Sequence, residues 1–135
     1  MSAPPAGLLD TSVFIARETG RPLGDLPARG AVSVVSIGEL QLGVLAAADE
    51  LARTRRADTL ALARTADPIP ISEAVMTTWA RLVADCRAAG IQRTVKLTDA
   101  LIAATAVEHG LPVITQDDDY TQMAAAHEAL TVFMV

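Results

Sequence analysis

Short apolar runs alternate along the chain with longer segments in which apolar residues recur every three or four positions. The short runs are typical of buried strands, and the longer segments are typical of amphipathic helices. Strands are predicted at residues 7–9, 32–35, 111–115 and 131–134, with a fifth, edge-like strand at 68–71, which proline interrupts. Helices are predicted at residues 11–18, 36–45, 50–65, 72–89, 99–109 and 121–130.

Strands that alternate with helices, in a chain without hairpin signals, predict a parallel sheet covered by helices on both faces. The 135 residues are enough for one domain with a buried core, and no repeat, low-complexity tract or linker divides them. The expected fold class is therefore α/β, with three α/β/α layers in a single domain over residues 1–135.

Polar residues mark the predicted starts of two helices. Ser36 and Thr98 each precede a helical pattern, and both are predicted N-caps. This assignment places Glu39 and Asp99 in the first turns of their helices.

Acidic residues interrupt otherwise apolar or small stretches at the points where predicted strands end and helices begin. They are Asp10, Glu39, Asp99, Asp117 and Asp119. Parallel strands linked by right-handed crossovers all end at one edge of the sheet, so these side chains are expected in one crevice there. Carboxylates crowded into one crevice favour hard divalent cations such as Mg²⁺ or Mn²⁺. The sequence thus predicts a carboxylate metal site.

Each acid also has a purely structural explanation. Ser36 and Glu39 fit a capping box, and Asp10 could be the N-cap of the helix that follows it. The helix dipole favours Asp99 at a helix start, and residues 117–119 could form a solvated turn. All of these explanations must hold at once if the chain has no metal site.

The net charge of −5 and a sequence pI near 4.8 argue, taken alone, against a nucleic-acid partner. The chain has 16 acidic and 11 basic residues, so the five acids above account for the whole excess. Two divalent cations would offset most of it. Of the basic residues all but Lys96 are arginine, which suits bidentate contacts with phosphate. The composition therefore permits a nucleic-acid substrate.

Other residue types exclude several alternatives. The lone Cys86, in a helical pattern, predicts a buried thiol in a reducing cytoplasm. The separate His109 and His127 give no zinc-binding spacing. No segment is long enough to span a membrane, and the N-terminal run lacks the basic start of a signal peptide. Trp79 and Phe14 are expected in the core rather than as platforms on which bases stack.

Four blocks of sequence contain the acids: GLLDTSVFI, SIGELQLG, TDALIAATA and VITQDDDY. In order and spacing they resemble the signature blocks of PIN-domain ribonucleases, and most of all those of the VapC toxins of VapBC toxin–antitoxin systems. The resemblance extends from about Gly7 to Val135. It implies a PIN-like α/β/α fold and a Mg²⁺- or Mn²⁺-dependent endoribonuclease whose products carry a 5′-phosphate and a 3′-hydroxyl. It also implies an RNA substrate, a homodimer, and a VapB-like antitoxin that blocks the site, often with a basic side chain.

The resemblance assigns metal-site roles to four acids. Asp10 and Asp99 would be the main metal ligands. Glu39 and Asp117 would complete the ligand shell, directly or through water.

The resemblance also assigns supporting places to other residues. Asp119 would be an outer-shell or second-metal residue, and Ser12 would orient Asp10 or water. Thr115 matches the threonine that precedes the fourth acid of the family. Tyr120 stands where an aromatic residue, often phenylalanine, is expected.

Two further classes of function stay open beside the toxin. One is another PIN-fold nuclease, acting in RNA processing or on DNA. The other is a non-catalytic acidic metal-binding module, such as a receiver-like phospho-acceptor domain, although Thr11 and Ser12 stand where such a domain has an adjacent acid. A haloacid-dehalogenase-type phosphatase would need an acid in place of Ser12. Lys96 and Arg17 could steer an RNA backbone or could simply be solvated charges.

Overall fold

The computed structural model describes residues 2–135. Four strands and six helices follow one another along this part of the chain. They are β1 (Ala6–Leu9), α1 (Thr11–Thr19), β2 (Arg29–Ala31), α2 (Val34–Leu45), α3 (Glu50–Arg64), α4 (Glu73–Ala88), α5 (Leu97–Glu108), β3 (Val113–Thr115), α6 (Asp119–Ala126) and β4 (Val132–Met134).

The strands form one parallel sheet in the order β2-β1-β3-β4. Adjacent residues of a strand point to opposite faces, and β1 contributes one residue to each of two apolar cores. Leu8 packs with Leu82 and Ile102 of α4 and α5, whereas Leu9 packs against the cluster of Phe14 and Leu60. The sheet therefore has helices on both faces, which confirms the predicted three-layer α/β fold. No helix within residues 2–135 has the length and apolarity to cross a bilayer.

The predicted N-cap of α2 is wrong by three residues, and the strand predicted at residues 32–35 lies at residues 29–31. β2 ends before residues 32–35, and the N-cap of α2 is Ser33, whose Oγ accepts the Val35 N–H at 3.0 Å. Ser36 lies one turn inside the helix, fully buried, with its Oγ 2.9 Å from the Thr11 hydroxyl. Two serines spaced by one helical turn offer the same capping signal, and packing against α1 selects the first.

The other boundary differences are smaller. Thr98 is not an N-cap, because α5 begins at Leu97 with Lys96 in the cap position and without a side-chain cap bond. Asp99 still lies in the first turn. Residues 68–71 form a single bridge from Ile69 to Ser33 rather than a strand. The predicted helix at 121–130 is α6, which begins two residues earlier and ends four residues earlier.

Gly7 of β1 leaves room for the neighbouring strand. A Cβ there would lie 2.5 Å from Ile114 Cγ1 and 3.3 Å from the Pro112 carbonyl oxygen. We expect Gly7→Ala to lower the free energy of unfolding by about 1–3 kcal/mol, because the close side chain must leave its rotamer. Gly38→Ala is the matched control, since nothing lies within 4 Å of its Cβ position in α2. It should raise stability by about 0.5–1 kcal/mol. Urea unfolding measures both, and an unchanged midpoint for Gly7→Ala would contradict the packing argument.

Candidate metal centre

The predicted acids lie where parallel strands end and helices begin. Asp10 follows β1 and caps α1, and Asp99 is in the first turn of α5; both are buried, with 4% and 7% of their surface exposed. Asp117 follows β3, and Asp119 is the first residue of α6; both are half-buried. Glu39 lies in the second turn of α2, also half-buried. We refer to these five residues as the carboxylate cluster.

Asp10 is held by three donors of the protein. Its Oδ1 accepts the Tyr120 hydroxyl at 2.9 Å. Its Oδ2 accepts the Thr115 hydroxyl at 2.9 Å and the Ser12 backbone N–H at 3.4 Å. The N-cap explanation for Asp10 is therefore correct as far as it goes. Hydrogen bonds from two buried side chains of β3 and α6 go beyond what capping needs, and they fix the orientation of the carboxylate.

Of the two buried acids, Asp99 has fewer hydrogen-bond partners than Asp10. Its Oδ2 is buried and has no hydrogen-bond partner among residues 2–135, and its Oδ1 is reached only by the Tyr120 hydroxyl, at 3.4 Å. The pKa of Asp99 is raised to about 6, first by burial and then by the negative charges of Asp10, Asp117 and Glu39. A buried carboxylate oxygen without a donor is costly, and a cation would satisfy it.

Asp99, Asp117 and Asp119 each offer one ligand oxygen, and these oxygens all lie within 4.8 Å of one another. The turn that carries the two later residues is held by backbone donors. The Asp117 N–H donates to Thr115 Oγ1 and the Asp119 N–H donates to Asp117 Oδ1, both at 2.9 Å. All three groups that could bind a metal ion here are carboxylates, which suits a hard divalent cation. Asp119, placed in an outer position by the resemblance, therefore lies with the other two.

Glu39 contacts the start of α1 rather than its own helix end. Its Oε1 accepts the Thr11 hydroxyl at 2.7 Å. The capping box with Ser36 is absent, since Ser33 caps the helix. The negative charge of Glu39 contributes to the raised pKa of Asp99.

Ser12 and Thr115 lie beside Asp10 and contact it differently. The Thr115 hydroxyl donates to the carboxylate directly. The Ser12 hydroxyl lies 3.2 Å from Thr115 Oγ1 and accepts the Gln116 N–H at 3.1 Å, so Ser12 reaches Asp10 only through its backbone N–H.

Tyr120 is a site residue whose contact the sequence did not reveal. It is fully buried, and its hydroxyl lies between the carboxylates of Asp10 and Asp99. Burial and these negative neighbours raise the pKa of Tyr120, so the hydroxyl stays protonated and acts as a donor. One signal was available: it is the single tyrosine of the chain, it follows Asp119 directly, and a buried tyrosine needs a hydrogen-bond partner.

The basic residues and histidines lie outside the cluster. Lys96 is exposed at the N-cap of α5, and Arg17 is exposed in the last turn of α1. His127 pairs with Asp85, at 2.8 Å from Nδ1 to Oδ2, and His109 is exposed. No histidine or cysteine joins the acidic group that could hold an ion among residues 2–135.

Comparison with protein families gives one match that spans most of the chain: the PIN domain model matches residues 7–126. Among curated proteins, "Ribonuclease VapC8" of Mycobacterium tuberculosis (strain ATCC 25618 / H37Rv) is 75% identical over 100 residues, which cover 74% of this chain and 89% of that protein. "Ribonuclease VapC5" of the same strain is 43% identical over 127 residues, which cover 93% of each chain.

Solved structures share the same architecture. The crystal structure of VapBC-5, a member of the VapBC family of toxin–antitoxin systems from Mycobacterium tuberculosis, aligns with a TM-score of 0.80 and 40% identity over 98% of each chain. VapBC2 from Rickettsia felis, bound to a DNA fragment from their promoter, aligns with a TM-score of 0.76 over 96% of this chain and 98% of that one. At 16% identity, the second likeness concerns the fold alone.

Proposed function

This chain belongs to the PIN-domain family, and from that premise we propose that it is a metal-dependent endoribonuclease and the toxin of a toxin–antitoxin pair. One observation carries the catalytic part: Asp99, whose buried Oδ2 has no hydrogen-bond partner among residues 2–135, belongs to a group of three carboxylates spaced to hold a cation. The cation is Mg²⁺, with Mn²⁺ as an alternative, since both prefer carboxylate and water oxygens.

The residues of the carboxylate cluster have different tasks in this proposal. Asp99, Asp117 and Asp119 would hold the cation, and Asp10, fixed by its hydrogen bonds, would complete the ligand shell. Glu39 adds negative charge at the rim. When bound, divalent cations activate water and stabilise negative charge on the phosphate that is cut. Thr115 and Tyr120 keep Asp10 in place, and Ser12 holds the turn after β3 through Gln116.

Names of relatives support RNA as the substrate and an antitoxin as a partner. The 75% and 43% identical relatives are both called ribonucleases, and the 40% identical structure is described as a member of a family of toxin–antitoxin systems. A negatively charged pocket suits a basic side chain of an inhibitory VapB-like protein. We further propose one PIN domain over residues 1–135, a homodimer or toxin–antitoxin hetero-oligomer, and action in the cytoplasm, where the free Cys86 stays reduced.

Removal of the metal tests the catalytic proposal. The purified protein should cleave single-stranded RNA in Mg²⁺ or Mn²⁺ and leave it intact in EDTA, and re-addition of metal should restore cleavage. Sequencing of the products should find 5′-phosphates. Single-stranded DNA of the same sequence is the parallel substrate, and faster cleavage of DNA would favour a DNA nuclease. A metal-loaded protein that cuts no RNA offered would overturn the proposal.

Growth of a bacterial host tests the toxin part separately. Expression of this chain alone should arrest growth, and co-expression of the product of a short reading frame just upstream should relieve the arrest. RNA cleavage without growth arrest would retain the nuclease and reject the toxin.

A further inference from the structure

A cleft of about 180 Å³ opens between α4, the turn that follows it and the start of α5. Its walls include Trp79 and Cys86 of α4, with Leu97 and Ala100 of α5, and charged side chains stand along it at Arg87 and Lys96. We call it the Trp79 cleft. None of its lining residues belongs to the carboxylate cluster.

The Trp79 cleft adjoins the candidate metal centre. Leu97 and Ala100 line it and are neighbours of Asp99 in the first turn of α5. The positive charge of Lys96 also acts on Asp99, where it opposes the rise in pKa that burial and the other acids cause. The cleft and the candidate metal centre therefore share the first turn of α5.

The cations at the cleft have no acidic partner. Arg87 and Lys96 are exposed, and neither forms an ion pair with an acid within residues 2–135. Unpaired cations that lie beside an acidic centre attract an anionic ligand if its negative charges contact the cations and stay clear of the carboxylates. A nucleotide chain has this distribution, with phosphates spaced along a backbone.

Trp79 is expected in the core, but its side chain is only half-buried and lines the cleft. Its Nε1–H lies beneath the accessible surface without a hydrogen-bond partner among the described residues, so an occupant would meet the ring rather than this donor. A nucleobase offers a flat face that stacks on an aromatic ring. The ring and the two cations together suit a nucleotide better than an uncharged side chain of a protein partner.

We propose that the Trp79 cleft is a subsite for one nucleotide of single-stranded RNA next to the bond that is cut, with the base against Trp79 and its phosphates at Arg87 and Lys96. The subsite rests on the proposed function, because it names how the substrate of that reaction is held. It gives this chain a means to select a flanking base, since the carboxylate cluster itself reads only phosphate and metal.

Trp79 is the single tryptophan of the chain, so its fluorescence reports directly on the cleft. The Asp99→Asn protein, which should bind RNA without cutting it, is titrated with a ten-nucleotide single-stranded RNA. Saturable quenching of the emission is expected. Arg87→Gln and Lys96→Gln should each weaken binding and each lower the slope of log affinity against log salt by about 0.7. Arg81→Gln is the matched control, because Arg81 is exposed on the same helix and does not line the cleft.

Cleavage kinetics in Mg²⁺, measured with the protein that retains Asp99, complete the test. Trp79→Leu should raise KM several-fold and broaden the choice of flanking base, with kcat at saturating RNA little changed. The surface variants at Arg87 and Lys96 keep the test valid if Trp79→Leu fails to fold.

RNA binding that leaves the emission unchanged overturns the subsite, even where cleavage proceeds. So does quenching by the antitoxin or by protein concentration alone, which would make the cleft a protein interface. Quenching by RNA without any cleavage would retain the subsite as a binding site and reject the nuclease.

Discussion

Asp99→Asn should abolish metal-dependent RNA cleavage and, at the same time, stabilise the metal-free protein at neutral pH. The loss of cleavage is expected to be on the order of 10³-fold or more, since a metal ligand supports several kcal/mol of transition-state stabilisation. The asparagine amide matches the carboxylate in shape but carries no negative charge. It therefore weakens the hold on a cation and removes repulsion from Asp10, Asp117 and Glu39.

The gain in stability follows from the pKa of Asp99, which the fold raises to about 6 from the ordinary value of 3.8. Between these two pH values the folded chain binds more protons at this site than the unfolded chain does. The free energy of unfolding must therefore fall as pH rises through that window. By pH 7 the ionised carboxylate destabilises the metal-free protein by on the order of 1–3 kcal/mol, the free-energy equivalent of the shift reduced for screening by solvent.

Thermal unfolding in EDTA at several pH values measures this effect. Asp99→Asn should unfold at a higher temperature than the unaltered chain at pH 7, and the difference should shrink toward pH 4. Asp58→Asn, which removes an exposed carboxylate of α3 that has no side-chain hydrogen bond or ion pair among residues 2–135, should follow the unaltered chain in both stability and cleavage. An Asp99→Asn protein that cleaves RNA at the normal rate would exclude Asp99 as a metal ligand. One that unfolds at a lower temperature at pH 7 would contradict the account of its burial.

Topology made most of the fold and the position of the carboxylate cluster predictable. Once the alternation of strand and helix indicated a parallel sheet, the ends of β1 and β3 had to lie at one edge, which carried Asp10 and Asp117 there. The resemblance to the PIN domain, drawn from four short blocks, is confirmed by the family match over residues 7–126. The catalytic roles of the acids stay predictions.

Contacts over long sequence distances were beyond the sequence pattern. The start of α2 depends on which of Ser33 and Ser36 packs against α1, and both carry the same local signal. The hydroxyl of Tyr120 reaches Asp10 across 110 positions of the chain, because the fold brings the first turn of α6 beside the end of β1. A pattern of apolar residues predicts that Tyr120 is buried, but it does not tell which group its hydroxyl meets.

Tyr120→Phe should weaken the binding of Mg²⁺ or Mn²⁺ about ten- to a hundredfold, the usual effect of losing a hydrogen bond to a carboxylate that faces the metal. The substitution removes one oxygen and leaves the ring in its packing. The hydroxyl donates to Asp10 Oδ1 at 2.9 Å and is 3.4 Å from Asp99 Oδ1, so it restrains both carboxylates before a cation arrives. Without it, Asp10 keeps only its bonds to Thr115 and the Ser12 N–H, and repulsion from Asp99 is no longer reduced by a shared donor.

Calorimetric titration with Mn²⁺ measures the affinity directly, independently of any RNA. Thr105→Val is the matched control, since it also removes a fully buried hydroxyl, one that bonds the Leu101 carbonyl within α5 at 2.8 Å and touches no carboxylate. Both variants should lose some stability, but only Tyr120→Phe should lose metal affinity. High metal concentration should then restore most of its cleavage rate, because the ligand oxygens themselves remain. If Tyr120→Phe bound Mn²⁺ as tightly as Thr105→Val, the position of Asp10 would depend on Thr115 and the helix start alone, and the hydroxyl would contribute only to the packing of α6.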